Sequence, residues 1–332
     1  EIEGSRYEED KSLGSIIRNS NKCVKCRRCV DVCNEVQSVH NLALYGRGQE
    51  YQVTAALNKS MNESICVRCG RCVDVCPTGA IYMKEHIDQM VFYAHNYDSK
   101  TIGMVSASVL PDLEKLYKME PGNLDGHKVI AGLKKLGVDC IISEEQVIDK
   151  NQAAAEEIIA NAKDFLIISN SPAAKNFIDL YYPELSNKVV YYESLQETFA
   201  KEAKEFVSRL NYDSDKYKTV VFTGNNENGA EAVEKGTVDF SMTAREIYRM
   251  FKRTGIDVNR MKTVDALKTE MDKEYAFSAV TAPVKFNYEK NPEVLKIDGK
   301  MCAVAHNLGQ TRKLLDEVIN GVSKYEIVRI CA

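Results

Sequence analysis

Eight of the eleven cysteines in this 332-residue chain fall into two short runs. The runs are Cys23, Cys26, Cys29 and Cys33, then Cys66, Cys69, Cys72 and Cys76, with Pro77 directly after the last. Each run reads C-x2-C-x2-C-x3-C. Gaps of two residues let one tight loop aim three thiolates at one point, and soft thiolates are the ligands that iron–sulfur cubanes take. The spacing therefore predicts two [4Fe–4S] clusters.

The same spacing resembles that of bacterial-type ferredoxins, in which the fourth cysteine of each run reaches the other cluster. We expect Cys23, Cys26, Cys29 and Cys76 to hold cluster 1, and Cys66, Cys69, Cys72 and Cys33 to hold cluster 2. Crossed ligation brings the clusters close together, which suits electron transfer between them. Zinc sites usually pair C-x2-C knuckles and need four ligands in all, so two full runs favour iron–sulfur over zinc or disulfides.

Basic residues crowd both cysteine loops, and they allow two interpretations. They are Lys22, Lys25, Arg27, Arg28, Arg68 and Arg71. They could be ordinary solvated surface, or they could raise the cluster potentials or steer an acidic redox partner.

Composition limits the other function classes. The net charge of -4 gives no reason to expect a nucleic-acid partner, and no apolar run reaches the length of a membrane span. No signal peptide is visible. Cluster ligands must be reduced thiolates, so we expect a cytoplasmic protein.

Patterning along the chain predicts an α+β ferredoxin-like module followed by an α/β domain with parallel sheets and helices on both faces. The module is an internal duplication with an inserted hairpin near Gly46–Thr54. The expected divisions are a linker at 1–22, the cluster module at 23–90, and the second domain at 98–332, with lobes at about 98–210 and 211–332. We expect an irregular or inserted segment at 257–298.

Short apolar runs alternate with helical stretches throughout the second domain. Strands are predicted at 100–107, 138–142, 165–168, 188–192, 219–222, 238–242, 300–305 and 325–330. Helices are predicted at 123–136, 144–162, 172–181, 194–210, 243–254 and 308–320.

Taken with the cluster module, the chain resembles the iron-only (FeFe) hydrogenase family over almost its whole length. The resemblance rests on these stretches, in this order: Cys33-Asn-Glu-Val-Gln, Gly46-Arg-Gly, Cys76-Pro-Thr-Gly-Ala, Val129-Ile-Ala-Gly-Leu, Tyr181-Tyr-Pro-Glu-Leu, Val238-Asp-Phe-Ser-Met and Asn307-Leu-Gly-Gln-Thr-Arg. It implies the family's catalytic-domain fold from about residue 98.

The resemblance also shows where this chain departs from the family. The family holds its catalytic H-cluster with cysteines in T-S-C-C-P and M-P-C-x-x-K. Here the first motif falls on Ile168–Pro172, so Asn170 replaces the proton-relay cysteine and Ser171 a ligand. In the second motif, Asn225 replaces the ligand cysteine and Asn228 replaces the lysine. Serine and asparagine lack the soft thiolate, so no H-cluster is expected. Asn170, Ser171 and Asn225 should lie near one another.

By this resemblance, the chain is a non-catalytic electron-transfer subunit of a multi-subunit, flavin-dependent oxidoreductase or transhydrogenase. Flavoprotein and iron–sulfur subunits are the expected partners. Electron bifurcation, linkage to NAD(P)H or ferredoxin, and an anaerobic source are part of the same expectation. The alternatives are an active hydrogenase with altered ligands and a redox-sensing paralogue.

Two further features have ordinary structural interpretations. Cys140, Cys302 and Cys331 are expected to be small core residues. The segment Thr223–Gly229 follows a strand but lacks a phosphate-loop motif, so we predict a plain turn.

Overall fold

The computed structural model describes residues 7–96, 99–209, 216–224, 226–261, 291–297 and 299–331. The chain divides into two compact units, each made of separate segments. Unit 1 comprises Glu1–Lys84, Ala154–Tyr192 and Phe286–Ala332, and unit 2 comprises Glu85–Ala153 and Glu193–Lys285.

Strands and helices follow one another in an order typical of an α/β protein. The strands in the described residues are β1 (Ile16–Arg18), β2 (Leu42–Tyr45), β3 (Gln52–Ala55), β4 (Ile81–Met83), β5 (Lys100–Val105), β6 (Cys140–Ile142), β7 (Leu166–Ser169), β8 (Val189–Tyr191), β9 (Tyr217–Phe222), β10 (Phe240–Met242), β11 (Glu293–Ile297), β12 (Lys300–Ala305) and β13 (Ile327–Ile330). The helices are α1 (Arg28–Asp31), α2 (Arg71–Asp74), α3 (Ile87–Ala94), α4 (Leu110–Tyr117), α5 (Gly126–Leu136), α6 (Glu144–Asn161), α7 (Pro172–Tyr181), α8 (Leu195–Arg209), α9 (Asn226–Glu234), α10 (Ala244–Thr254) and α11 (Leu308–Ile319).

The cysteine module of unit 1 is built from short paired strands and single helical turns. β1 and β4 pair antiparallel, and β2 and β3 form the hairpin expected between the cysteine runs. The first run passes through α1 into a π-helical turn at Val32–Val36, and the second passes through α2. Residues 16–18, within the segment expected as a linker, form β1 because Ile16 and Ile17 are buried against the module.

A second sheet completes unit 1, in the order β11-β12-β13-β7-β8. β12, β13, β7 and β8 are parallel, and β11 is an antiparallel edge strand. Alternate residues of each strand enter different cores. Ile167 and Val328 pack with Phe177 of α7 in one core, whereas Ile168 packs with Ile159 of α6 in another.

The cysteine module and this sheet share one core within unit 1. The Tyr181 hydroxyl donates to the Val39 carbonyl over 2.7 Å, and Arg312 Nη2 donates to the Ser38 carbonyl over 2.8 Å. α11 approaches so closely at Gly309 that a Cβ there would lie 2.4 Å from the Val36 carbonyl oxygen. These contacts fix the fourth cysteine of the first run against the sheet's helices.

Unit 2 contains a parallel sheet in the order β10-β9-β5-β6. Val220 and Phe222 face one core with Phe251 of α10, while Val221 faces another with Phe199 of α8. Both units thus show parallel strands covered by helices on two faces, which confirms the predicted fold class.

A polar connection recurs at the amino ends of two strand pairs in unit 2. Asp139 accepts from the backbone N–H of Thr101 at 2.9 Å and pairs with Lys100 at 2.9 Å. Asp239 does the same with Thr219 at 2.8 Å and Lys218 at 2.8 Å. The Lys-Thr pairs lie within β5 and β9, and the Val-Asp pairs directly precede β6 and β10. Together they form a second internal repeat, which the sequence analysis missed.

Every strand and helix predicted for the second domain is present, with bounds shifted by a few residues. The structure adds α3, α4, α9 and β11. The plain turn predicted at Thr223–Gly229 is wrong, because α9 begins at Asn226 inside that segment. Of the predicted irregular stretch, residues 262–290 lie outside the described residues, and β11 occupies 293–297. In the described ranges, no helix combines the length and apolarity needed to cross a bilayer.

Candidate metal centres

A cavity brings together cysteines from both runs. Its walls include Cys23, Cys26 and Cys29 of the first run and Cys76 of the second. β1 and β4 carry the loops that meet here, because pairing of Arg18 with Ile81 sets Asn19 and Ala80 side by side. Antiparallel pairing of the two ends of the module thus places Cys76 beside the first run.

The other four cysteines form a second group. Burial raises the pKa of the Cys72 thiol, and the neighbouring thiolates of Cys69, Cys66 and Cys33 raise it further. Burial raises the pKa of Cys66 to about 11, and Cys33 again contributes. Cys33 is therefore close enough to the second run to act electrostatically on Cys66 and Cys72. The two groups are adjacent, because Cys29 also acts on Cys72.

The duplicated runs share an unusual backbone. Lys25 and Arg27, which flank the second cysteine of the first run, have φ of +57° and +68°. Arg68 and Gly70 hold the equivalent places in the second run, with φ of +64° and +70°. These left-handed residues turn the chain so that successive thiols converge, and only Gly70 adopts this conformation without strain.

Backbone N–H groups point at the sulfur atoms. The Lys25 N–H donates to Cys23 Sγ at 3.4 Å, and the Ala80 N–H donates to Cys76 Sγ at 3.2 Å. Burial opposes ionisation of Cys76, but N–H donors from Ile81 and Thr78, the Thr78 hydroxyl and the Ala80 N–H lower its pKa overall. The Cys-Pro-Thr-Gly-Ala segment thus supplies donors to a thiolate, a role that the sequence analysis did not assign.

The donor set fits a polynuclear cluster. Burial raises the pKa of Cys29 to about 12, and the thiolates of Cys23 and Cys76 add to the effect. Four ionised thiols in such a place require a large compensating positive charge, which iron provides. Among the described residues, no three His, Cys, Asp or Glu side chains converge as closely as a single metal ion requires. A cubane spans several ångströms, so its ligands stand further apart.

Ser171 has a structural role at the amino end of α7. It is 2% exposed, and its Oγ accepts a hydrogen bond from the Ala174 N–H at 3.1 Å as the helix N-cap. The Ser171 N–H donates to Ser169 Oγ at 3.1 Å, and Ser169 Oγ donates to the Ile330 carbonyl at 3.0 Å. The hydroxyl that stands at the expected ligand position is therefore committed to its own helix.

Of the other predicted H-cluster positions, the structure describes some and not others. Asn170 is half-buried beside Ser171. Asn225 and the side chain of Asn228 lie outside the described residues. The expected proximity of Asn225 to Asn170 and Ser171 therefore stays a prediction.

The three cysteines outside the runs differ in burial. Cys140 and Cys302 are fully buried within apolar cores, as expected. Cys331 is half-buried and lies against the guanidinium of Arg329, which also donates to the Tyr192 hydroxyl at 3.3 Å. No disulfide links any of the eleven cysteines, all of which are described.

Comparison with known families matches the two parts of the chain separately. Residues 99–332 match the C-terminal domain of the iron-only hydrogenase large subunit, which is well over half of the chain. The chain belongs to the iron-only hydrogenase family. Residues 14–82 match the ferredoxin-like domain of NADH-quinone oxidoreductase subunit 3. With a ferredoxin-like domain ahead of a hydrogenase domain, the chain is an iron–sulfur protein.

Individual relatives come from two kinds of enzyme. The NADP-reducing hydrogenase subunit HndD of Solidesulfovibrio fructosivorans is 29% identical over 280 residues, covering 77% of this chain and 47% of HndD. Iron hydrogenase 1 of Clostridium pasteurianum is 25% identical, covering 79% and 48%. The mitochondrial NADH-ubiquinone oxidoreductase 78 kDa subunit of Neurospora crassa is 28% identical, covering 47% and 19%. The chain spans about half the length of these two hydrogenase relatives.

Solved structures agree on the fold. A single-residue variant of the [FeFe]-hydrogenase HydA1 from Chlamydomonas reinhardtii superposes with a TM-score of 0.58 at 14% identity, covering 75% of this chain and 82% of that one. At this identity the likeness establishes only the hydrogenase fold of the second domain. The chemistry has to be inferred from the residues of the site.

Proposed function

We propose that this chain is an electron-transfer subunit that carries two [4Fe–4S] clusters and no H-cluster. Cys23, Cys26, Cys29 and Cys76 would hold cluster 1, and Cys66, Cys69, Cys72 and Cys33 would hold cluster 2. The observation that carries the proposal is the cavity that Cys76 lines together with Cys23, Cys26 and Cys29. The electrostatic effect of Cys33 on Cys72 of the second run also supports it. This is the crossed arrangement that two-cluster ferredoxins need.

Each bound cluster would supply a one-electron carrier, and the protein's part is to hold the carriers close and tune them. Cys29 and Cys72 are buried and belong to adjacent groups, which favours a short path between the clusters. The N–H groups of Lys25 and Ala80 stabilise negative charge on the sulfur atoms. We expect this to favour the reduced, more negative form of cluster 1.

Loss of the H-cluster is supported at the described position by the chemistry of Ser171. A hydroxyl is a poor ligand for iron–sulfur clusters, and this one accepts a hydrogen bond from the first turn of α7. Moving it onto iron would also remove the helix N-cap, which typically contributes ~1 kcal/mol. The function proposed is therefore electron relay rather than hydrogen chemistry.

The partners proposed are the flavoprotein and iron–sulfur subunits of a larger cytoplasmic complex. The support is the relative named as a subunit of an NADP-reducing hydrogenase and the match to a domain of NADH-quinone oxidoreductase. Within such a complex, electrons would pass between a flavin that reacts with NAD(P)H and a second acceptor, and electron bifurcation is the more specific form of this proposal.

Anaerobic purification of the complex from its source tests this function. We expect a flavoprotein to co-purify, and NAD(P)H to produce the electron paramagnetic resonance signals of reduced [4Fe–4S] clusters on this chain. Hydrogen should neither be produced nor consumed by this chain. Clusters that stay oxidised with every co-purifying subunit present, or a chain that is isolated alone, would contradict the proposal.

A further inference from the structure

The two cysteine loops are repeats in sequence, yet their surroundings are opposite. Val24 and Val67 occupy equivalent places between the first and second cysteines of each loop. Val24 is 63% exposed, whereas Val67 is 2% exposed. The difference arises because α7 covers the second loop, where Asn176 Nδ2 donates to the Val67 carbonyl at 3.3 Å.

The exposed loop also carries more positive charge. Lys22, Lys25, Arg27 and Arg28 surround Val24 and are all exposed, and Cys26 between them is exposed as well. In the second loop, the residues equivalent to Lys22 and Arg27 are Ile65 and Gly70. The first loop therefore presents an apolar centre with a basic rim, and we name these five residues, Lys22, Val24, Lys25, Arg27 and Arg28, the loop-1 patch.

The positive charges of the loop-1 patch are not neutralised within the described residues. None of its four basic side chains lies within salt-bridge distance of a described carboxylate. In the second loop, by contrast, Arg71 Nη1 lies 3.5 Å from Asp74 Oδ2. Lys22 and Lys25 instead rest over the rings of Tyr82 and Tyr51, at 5.1 Å and 5.4 Å from the centroids. These ring contacts position the two ammonium groups of the first cysteine loop.

Arg27 places a positive charge at a position of the loop where a side chain strains the backbone. Its φ of +68° is a conformation that Gly70, its equivalent in the second loop, adopts freely. A side chain at this place strains the turn, and strained residues persist where function needs them. Arg27 lines the same cavity as Cys26.

We propose that the loop-1 patch is the docking surface for an acidic electron-transfer protein, which exchanges single electrons with cluster 1. This inference rests on the proposed relay function and specifies its entry point. The partner would present carboxylates around the edge of its own redox centre, with an apolar spot opposite Val24. One electron leaves the partner's reduced centre and enters the oxidised cluster, with no bond made or broken. The covered second loop leaves cluster 2 for transfer inside the protein.

Stopped-flow reduction of the cluster-loaded chain tests this proposal with two reductants. The first is a pre-reduced acidic two-cluster ferredoxin, and the second is photoreduced 5-deazariboflavin, which is small and carries no charge. The quantity compared is the ferredoxin rate divided by the deazaflavin rate, so that changes in the cluster itself cancel. The variants are Lys22→Gln and Arg28→Gln in the first loop, with Arg71→Gln as the matched control in the second.

We expect the ferredoxin rate of the wild-type chain to fall as salt is added, because opposite charges are screened. At low salt, Lys22→Gln and Arg28→Gln should each lower the rate ratio by about two- to fivefold, while Arg71→Gln leaves it unchanged. Arg27→Gly should lower the ratio as well, yet raise the unfolding temperature. This opposite effect on rate and stability is specific to a docking role.

Three results would overturn the proposal. One is a ferredoxin rate that is flat or rises with salt, and another is an Arg71→Gln effect as large as that of Arg28→Gln. The third is normal salt dependence with unchanged ratios in all first-loop variants. Failure of deazaflavin to reduce the clusters would overturn the relay function itself, and the docking proposal with it.

Discussion

Double cysteine variants distinguish two modes of ligation. In crossed ligation the fourth cysteine of each run binds the other cluster, whereas in ligation run by run each run of four cysteines holds its own cluster. Cys33 belongs to the first run in sequence but acts electrostatically on Cys66 and Cys72 of the second run. Cys33→Ala should therefore remove cluster 2, leaving ~4 of the ~8 iron atoms that two clusters contain. Adding Cys72→Ala should cost nothing further, because Cys72 serves the same cluster. Adding Cys29→Ala instead should remove cluster 1 too and leave almost no iron.

The assay is iron and acid-labile sulfide per chain after anaerobic reconstitution, with electron paramagnetic resonance of the reduced samples. In Cys33→Ala, the magnetic interaction between two neighbouring reduced clusters should disappear and the signal of one isolated cluster should remain. Ligation run by run predicts the reverse iron contents: ~4 for Cys33→Ala with Cys29→Ala, and almost none for Cys33→Ala with Cys72→Ala. That outcome would refute the assignment. Cys140→Ala, at a buried cysteine outside both runs, is the control and should keep the full iron content.

Three further predictions concern stability. Arg27→Gly should raise the unfolding temperature of the cluster-loaded chain by about 2–4 °C, from ~1 kcal/mol of relieved strain, whereas Gly70→Ala should lower it; equal shifts for both would contradict the duplication argument. Asp239→Ala should lower the free energy of unfolding by ~2 kcal/mol in urea, because the buried Thr219 N–H loses its acceptor, and Asp239→Asn should restore most of the loss. Burial raises the pKa of Glu246 to about 7 from an ordinary 4.5. The contribution of this group to the free energy of unfolding is therefore complete below pH 4.5, and ~3 kcal/mol of it is lost as pH rises through about 7. A Glu246→Gln variant with the same pH dependence would exclude this group as the cause.

The convergence of Cys23, Cys26 and Cys29 on one cavity could be predicted from sequence because the geometry of the loop is local. Two-residue gaps between cysteines leave few ways to close a loop, and the fourth cysteine of each run follows a short helical turn. The exposure of the two loops could not be predicted in this way. Val24 and Val67 occupy equivalent places between two cysteines, and only the packing of α7 buries one of them.

The order of strands and helices could also be predicted from sequence, but their grouping could not. Alternation of apolar runs identified the strands, yet it does not say which strands share a sheet. Residues 154–192 join the cysteine module in unit 1, because β7 pairs with β13 and the Tyr181 hydroxyl bonds to Val39. The polar opening of the chain likewise concealed Ile16 and Ile17, whose burial creates β1. The start of α9 was missed because Gly224-Asn-Asn is typical of a turn.

The most direct test of the central claim is a count of iron and sulfide per chain, with infrared spectra, on protein purified anaerobically from its source. Two [4Fe–4S] clusters and no H-cluster predict ~8 iron and ~8 sulfide, with no bands from iron-bound carbon monoxide or cyanide. An excess of about six iron atoms accompanied by such bands would show that a catalytic centre binds despite Ser171, and would contradict the account.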